Sequence, residues 1–489
     1  MAIGEILKEI FKVNWDRIFI IDTIGNREIT YGSFFWSVLN CTRVLKDLEI
    51  GENTTVCLHM ENSLELVILY FALLASQRAV VPLDPRKGII EKTEIFTQLN
   101  DSYVIYDTPL EGAAPNGINI TNIAPYIFKQ GECATNELEL LDQLDYDLLY
   151  LICFTSGSTG TPKGVKHSAT NLISSALAFK ERLHLGQKNR FFHNLPMTYM
   201  AGILNLIFLP FVCESTIILA QRFNITKIFN FWDTPTRHAA NTFWLIPTIV
   251  ALLLRVGTRG SISTNDDAPM TAFVGTAPID AQTKQSFMSK YGIPLYESYG
   301  LTETLFVTTE SPETLEIGSS AGIPLDGVTI SFSPDSEILV ESSWMFHGYL
   351  DSETQQYLTD GKFSSGDLGV LEGGRSLRIT GRKKHVIIRG GMNVSPTRIE
   401  EYLSELKAYA ECAVVGIPSE FIDERIVCFY VQNGHSCGTK KERELNIRIE
   451  RDLGTNWVIN EFVEVKSIPK NLIGKVDRSK LIQIYKELK

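Results

Sequence analysis

Thr155-Ser156-Gly157-Ser158-Thr159-Gly160-Thr161-Pro162-Lys163-Gly164 packs hydroxyls, glycines and one lysine into ten residues. That is the chemistry of a loop that wraps a polyphosphate. Glycines let the backbone approach oxygens closely, and successive N–H groups in a turn make an anion-binding concavity. Serine and threonine add donors, and Lys163 adds a mobile point charge. Residues 148–154 are apolar and form a short run, so the loop is expected to leave a buried strand. The common P-loop is excluded, because it needs G-x-x-x-x-G-K-S/T. Here Gly157 and Gly160 enclose two residues and Lys163 is followed by Gly164. A flexible linker is the bland alternative, but such linkers rarely carry Pro-Lys-Gly between two apolar elements.

The chain around this loop has 489 residues, too many for one ordinary core, so two or more domains are expected. Hydrophobic residues make up 44% and charged residues 21%, an ordinary globular balance. A net charge of −11 argues against a nucleic-acid surface and leaves room for a local basic pocket. The eight cysteines are scattered, with no C-x-x-C pair and no zinc spacing, which suits mostly buried thiols in a reducing compartment. Residues 1–12 read as an amphipathic helix, not a signal peptide. The apolar run 66–75 is too short to span a bilayer, and 202–220 carries Asn205, Pro210 and Glu214. These fit a buried helix, and a helix followed by a strand. Without a targeting signal, the cytoplasm is the expected location.

Short β-rich runs at 55–59, 79–82, 103–106, 149–154, 215–219 and 272–274 alternate with helical patterns. Such alternation argues for α/β layers with mainly parallel sheets. A boundary is expected near Gly381-Arg382-Lys383-Lys384, dividing the chain into 1–383 and 384–489. The second part carries a net charge of +2 and the first −13. Within it, Ser395 is placed as the N-cap and Pro396 as the first residue of a helix ending near Leu406.

Further motifs follow the loop in order. They are Gly275-Thr276-Ala277-Pro278, Tyr299-Gly300-Leu301-Thr302-Glu303-Thr304, Ser365-Gly366-Asp367-Leu368-Gly369 and a closing 468–478 segment containing Gly474-Lys475-Val476-Asp477-Arg478. An aromatic such as Tyr299 can stack on a purine. Thr302 can donate to a phosphoryl oxygen, and Glu303 can hold Mg²⁺, which prefers carboxylate and phosphate oxygens together. Asp367 alone is either a turn aspartate or an acceptor for ribose hydroxyls.

Together with the phosphate loop, these segments resemble the adenylate-forming superfamily of acyl-CoA synthetases, peptide-synthetase adenylation domains and luciferases. Val81-Pro82-Leu83-Asp84-Pro85 and the stretch 337–349 resemble smaller family segments, so the likeness spans nearly the whole chain. The resemblance implies a large N-terminal AMP-binding domain of layered sheets and helices, and a small mobile α+β C-terminal domain. It assigns nucleotide contacts to Thr155, Ser156, Gly157, Ser158, Thr159, Gly160, Lys163, Gly275, Thr276, Ala277, Tyr299, Asp367 and Arg382. Thr302 and Glu303 act at the phosphates, with Glu303 on the metal. Lys475 takes the place of the catalytic lysine, and Lys384 that of the hinge. Gly390-Gly391 would lie near a pantetheine channel.

Two departures stand out. The family often has a histidine where this chain has Tyr199, and amino-acid-activating relatives have an aspartate there, so an α-amino acid anchored in the usual way is not expected. The second glycine of the adenine-flanking segment is Thr276, which implies a tighter approach. Ala169, where a histidine often stands, is read as structural. Asn194, Met197, Tyr199, Gly202, Trp244 and Gly275 are candidates for the acid pocket. The implied activity is an ATP-dependent acid–thiol ligase that forms an acyl-adenylate, releases pyrophosphate and passes the acyl group to coenzyme A. Its nearest alternative loads a carrier-protein phosphopantetheine. A luciferase-like oxygenase shares the nucleotide motifs. A non-catalytic nucleotide-binding protein is the alternative of another class.

Overall fold

Two sheets of the N-terminal part grow from the apolar runs, and one long buried helix ties them together. The computed structural model describes all residues except 1, 52–53, 100–101, 109–115, 130–134, 157–160, 257–268, 277–278, 280, 316–319, 335, 352–356, 360, 383–385, 407, 420–422, 433–438 and 470–475. A six-stranded sheet runs in the order Gly117–Asn119, Tyr103–Tyr106, Thr55–His59, Ala79–Pro82, Leu149–Ser156, Pro162–Ser168. All neighbours are parallel except the last pair, the two arms of the phosphate loop. A nine-stranded sheet is parallel from Leu295–Leu301 through Thr271–Val274, Thr242–Leu245, Arg190–His193 and Thr216–Leu219 to Ile18–Asp22. Its edges are finished by antiparallel strands.

The helix Leu64–Ala75 starts on a Ser63 cap and is buried over nearly every face, as an all-apolar helix must be. Its Tyr70 hydroxyl donates to the Met197 carbonyl at 2.6 Å, and the Tyr150 hydroxyl donates to the Tyr70 carbonyl at 2.8 Å. Buried phenols need such partners, and these two pin the helix between the sheets. Phe71 packs against Phe34, Phe208 and Phe211 with ring centroids 4.9–5.3 Å apart. The stretch 202–220 is a helix followed by a strand. The helix is interrupted by a π-helical turn, Leu204–Phe208, before the strand Thr216–Leu219. The amphipathic N-terminal helix runs Ile3–Asn14.

A third, antiparallel sheet contains Glu337–Ser342, Lys362–Glu372 and Ser376–Arg382. Beyond it lies the hairpin of Ile387–Arg389 and Met392–Val394, then the helix Pro396–Glu405. Ser395 caps that helix by accepting from the Arg398 amide at 3.3 Å, with proline at its first position. Strands Glu411–Pro418, Glu424–Val431 and Glu461–Glu464 form a small sheet with its own core, including Ile399, Leu403, Val414, Ile426 and Ile449. The expected division at 383/384 falls outside the described residues. Cys41, Cys57, Cys153, Cys213 and Cys428 are buried free thiols and Cys412 is partly buried. No helix among the described residues is long and apolar enough to cross a membrane.

The C-terminal part leans on the loop and helix that follow Pro82. Lys87 and Gly454 form an isolated antiparallel bridge. Arg398 pairs with Glu94, and Thr248 donates to Asp423 at 3.4 Å.

Candidate active site

The strand Leu149–Ser156 carries Thr155 to the sheet edge, where Thr155 lies in register with Lys163 on the returning strand. Gly157, Ser158, Thr159 and Gly160 lie outside the described residues, as does the Ser156 side chain. Lys163 donates to the Tyr357 hydroxyl and sits 4.4 Å and 5.4 Å from the Tyr357 and Tyr349 ring centroids. Aromatic faces attract a cation at that range, so the lysine is held beside the loop.

Tyr349 links this strand to the Thr302–Glu303 turn. Its hydroxyl donates to Glu303 Oε1 at 2.8 Å. Burial first, and the Glu303 carboxylate next, push the Tyr349 phenol well up, so it remains a donor. The backbone repeats the link. Leu350 N–H donates to the Gly164 carbonyl at 2.7 Å, and Phe346 N–H donates to the Glu303 carbonyl at 2.9 Å. His167 is fully buried and pushed down to about 4, chiefly by burial, so its imidazole is neutral. It therefore donates Nε2–H to the Thr302 carbonyl at 2.7 Å. These contacts fix the Thr302–Glu303 turn to the arm of the phosphate loop.

Tyr299 lies one strand position from Ser298 and Gly300. Its hydroxyl donates to Asp367 Oδ2 at 3.0 Å, and both residues are buried. The residues read as purine and ribose contacts are thus one hydrogen-bonded unit. Gly300 must be bare, since a Cβ would lie 2.0 Å from the Leu305 carbonyl oxygen. The Arg382 side chain, Ala277, Lys384 and Lys475 fall outside what is described.

A cavity of about 220 Å³ opens between the two parts of the chain. Thr155, Tyr199, Trp244, Gly275, Thr276 and Thr302 all line it. The C-terminal part closes it with the hairpin residues 391–394 and with Asn456 and Trp457. Thr276 adopts φ 73°, a left-handed conformation that strains a β-branched residue. Its Oγ1 comes within 3.1 Å of where a Cβ on Gly391 would be. The approach at Thr276 is therefore tight, and the opposing residue is a glycine at φ 75°.

Three expected pocket residues do not line this cavity. Asn194 is buried and its Oδ1 has no partner. Met197 is fully buried with its amide bound to Asn62 at 3.0 Å. Gly202 packs its bare Cα where a Cβ would lie 1.9 Å from the Pro196 carbonyl oxygen. They shape the turn that presents Tyr199 instead. The sequence reading also missed an ion pair in the wall, Lys87 with Glu91, whose side chains are 12% and 11% exposed. Their spacing of four along the helix Ile89–Gln98 and its preceding turn was the available signal.

Residues 8–350 match the AMP-binding enzyme family, and residues 398–475 match the AMP-binding enzyme C-terminal domain. The chain belongs to the AMP-binding enzymes. Among its relatives, a 2-succinylbenzoate–CoA ligase of Listeria monocytogenes is 29% identical over 80% of this chain and 81% of that one. A sulfoacetate–CoA ligase of Cupriavidus necator is 28% identical over 68% of this chain and 66% of that one. Two structures of the o-succinylbenzoate CoA synthetase of Bacillus subtilis share the fold. A double mutant bound to the product analogue OSB-NCoA gives a TM-score of 0.83 at 21% identity, covering 97% of each chain. The complex with the acyl-adenylate OSB-AMP gives 0.68 at 22% identity over the same coverage.

Thr302 and Glu303 supply hard oxygen donors of the kind Mg²⁺ prefers. No cluster of three acidic, histidine or cysteine side chains suited to a metal exists among the described residues. Glu303 is the carboxylate of this turn that would hold a magnesium ion together with nucleotide phosphates.

Proposed function

We propose that this AMP-binding enzyme is an acid–thiol ligase that makes an acyl-adenylate from ATP and a carboxylic acid, then transfers the acyl group to coenzyme A. One observation carries the reading. The Thr155 arm, the Thr302–Glu303 turn and the Tyr199–Trp244 wall converge on one cavity that the C-terminal hairpin closes. The CoA-ligase relatives support coenzyme A as the thiol.

The acid's carboxylate attacks the α-phosphate of ATP, forming the mixed anhydride and releasing pyrophosphate. The phosphate loop, with Lys163, holds the departing phosphates. Magnesium at Glu303, when bound, offsets their charge. Tyr299 packs on the adenine, while Asp367 and Arg382 take the ribose. Lys475 bridges the carboxylate and the α-phosphate. In the second step the coenzyme A thiolate attacks the acyl carbon and AMP leaves. This division of labour assigns residues 1–383 to the nucleotide-binding part and 384–489 to a mobile part turning about Lys384. The higher similarity to the product-analogue complex, and the hairpin at Gly391 facing Thr276, support the present arrangement as the thioester-forming one.

The acid is proposed to carry a polar group of its own. Among the described residues of the wall, Lys87 and Glu91 are the charged ones, and the names 2-succinylbenzoate and sulfoacetate both denote acids with a second acidic group. The enzyme is placed in the cytoplasm, where ATP and coenzyme A are available. The test is to incubate the protein with ATP, magnesium and a panel of acids, offering coenzyme A or a phosphopantetheinylated carrier protein. Acid-dependent pyrophosphate release and acyl-CoA are expected. Thioester on the carrier protein alone would favour the alternative acceptor, and no pyrophosphate release with any acid would reject the reading.

A further inference from the structure

Two tyrosines stand where the phosphate loop meets the Thr302–Glu303 turn. Tyr349 is 4% exposed, and its backbone is clamped to the returning arm of the loop. It forms an isolated antiparallel bridge with Val165. On either side of it, Leu350 N–H donates to the Gly164 carbonyl at 2.7 Å, and Lys166 N–H donates to the Gly348 carbonyl at 3.0 Å. Its ring packs edge-on against Phe346 and Tyr357, each centroid 5.0 Å away. Backbone and ring are thus both fixed, and the hydroxyl comes to 2.8 Å from Glu303 Oε1. Packing does not call for that hydroxyl, since phenylalanine fills the same space. A buried hydroxyl must find a partner, and here the partner is the carboxylate assigned to the metal.

The lysine of the loop is held by the same pair of rings. Lys163 donates to the Tyr357 hydroxyl, and its ammonium lies 4.4 Å and 5.4 Å from the Tyr357 and Tyr349 centroids. The cation and the carboxylate that would serve one triphosphate are therefore each bound to a phenol. Lys163 and Glu303 are both partly exposed, so a ligand can reach them. Opposite charges beside a shared ring attract. An ion pair between them would take the lysine from the phosphates and the carboxylate from the metal. A neutral phenol meets either charge without cancelling it, because its O–H donates to an anion and its oxygen accepts from a cation. A carboxylate has about four acceptor sites on its two oxygens, so one phenol does not exhaust it.

We propose that Tyr349 and Tyr357 are positioning residues of the phosphate and metal site. Tyr349 orients the Glu303 carboxylate for a divalent cation, and Tyr357 orients Lys163 for the triphosphate. Together they keep the two charges from pairing with each other. The inference rests on the acid-activating reading above and deepens it by naming what prepares both charges before the nucleotide arrives. Groups that orient a metal ligand are worth about 10- to 100-fold in metal affinity.

The test uses the full-length enzyme, α,β-methylene-ATP and Mn²⁺ in place of magnesium. Two dissociation constants are measured. One is that of the nucleotide in EDTA, by equilibrium dialysis. The other is that of Mn²⁺ for the enzyme–nucleotide complex, from the paramagnetic-resonance signal of free Mn²⁺. Tyr349→Phe keeps the ring beside Lys163 and removes the hydrogen bond to Glu303. It should weaken Mn²⁺ binding by about 10- to 100-fold and metal-free nucleotide binding by less than about 2-fold. Tyr357→Phe should do the reverse, weakening the metal-free nucleotide by about 3- to 12-fold and Mn²⁺ by less than about 2-fold. Unchanged Mn²⁺ affinity in Tyr349→Phe would overturn the proposal, and so would equal loss of both constants in either variant. Tyr357 is partly exposed and its variant is the milder change. If it alone folds and binds metal-free nucleotide as tightly as wild type, the proposal falls on that result. These failures, with a wild type that binds nucleotide and Mn²⁺, sink this inference alone. A wild type that binds neither sinks the acid-activating reading beneath it.

Discussion

Replacing Gly88 with alanine should separate the two half-reactions. Gly88 sits before the helix Ile89–Gln98 at φ −65°, ψ 156°, a conformation any residue adopts without strain. What forbids a side chain there is the other part of the chain. A Cβ on Gly88 would lie 2.1 Å from the Asp452 carbonyl oxygen, 2.2 Å from its carbon and 2.4 Å from the Leu453 nitrogen. These are backbone atoms, so no rotamer relieves the clash. Ordinary contact begins near 3.4 Å, so the two parts must separate by about 1.3 Å at this point. That opens the Lys87–Gly454 bridge and draws the Gly391 hairpin from the cavity. A misplacement of about 1 Å costs roughly 10²-fold in rate, and overpacking of about 1–3 kcal/mol gives a similar range. Thioester formation from synthetic acyl-adenylate should therefore slow by roughly 10²-fold. Pyrophosphate release in single turnover should change by less than about 2-fold, because adenylation is assigned to another arrangement of the parts. Thermal stability should not fall much, since Gly→Ala at an unstrained position restrains the unfolded chain. Equal slowing of both half-reactions, or unimpaired thioester formation, would refute the reasoning.

Lys475→Ala should lose acyl-adenylate formation by about 10²- to 10⁴-fold, because one charge pair at ~4 Å and an effective dielectric of ~20 is worth about 4 kcal/mol. Thioester formation from synthetic acyl-adenylate should be largely spared, and equal loss of both steps in rapid-quench assays would refute that role. Tyr299→Phe keeps the ring but removes its hydrogen bond to the Asp367 carboxylate, so KM for ATP should rise by about 2- to 12-fold with KM for the acid unchanged. A KM change for the acid alone would contradict the ribose assignment. Stability measured by urea unfolding should peak near pH 6.5. Burial pushes His59 and His167 down to about 4 and His193 down to about 3, so stability is lost as pH falls from 6.5 towards 4. Burial, with Glu310 beside it, pushes Glu297 up to about 8 against the opposing Lys284. Its contribution therefore fades as pH rises from 4.5 to 8. Glu297→Gln should flatten the alkaline decline, and an unchanged slope would reject the assignment.

Much of this architecture was legible because its chemistry is contiguous. The strand leading into Thr155, the Ser395–Pro396 helix start and the helix of residues 64–75 follow from local pattern and capping. The turn at Thr302–Glu303 was legible as a motif, but the means of its attachment was not. Tyr349 reaches Glu303 across 46 residues, and His167 reaches the Thr302 carbonyl across 135. Such pairings depend on how sheets stack, which no local period encodes. Of the expected pocket residues, Tyr199, Trp244 and Gly275 line the cavity and three others do not. Asn194, Met197 and Gly202 flank Tyr199 in sequence, yet the backbone turns between them, and their side chains or bare Cα pack behind the wall. Lys87 and Glu91 carry no local mark of burial, since an i,i+4 charge pair is as common on a solvated helix face. Their side chains are 12% and 11% exposed, in a wall that also includes Asn456 and Trp457 from far along the chain.

The most direct test of the account is a crystal structure of the enzyme with a non-hydrolysable acyl-sulfamoyl adenosine. The account predicts adenine against Tyr299, ribose hydroxyls on Asp367, the sulfamoyl group beside Thr155 and Thr302, and the acyl chain running towards Trp244 and Tyr199. A ligand bound elsewhere, leaving Thr155 and Tyr299 bare, would contradict it.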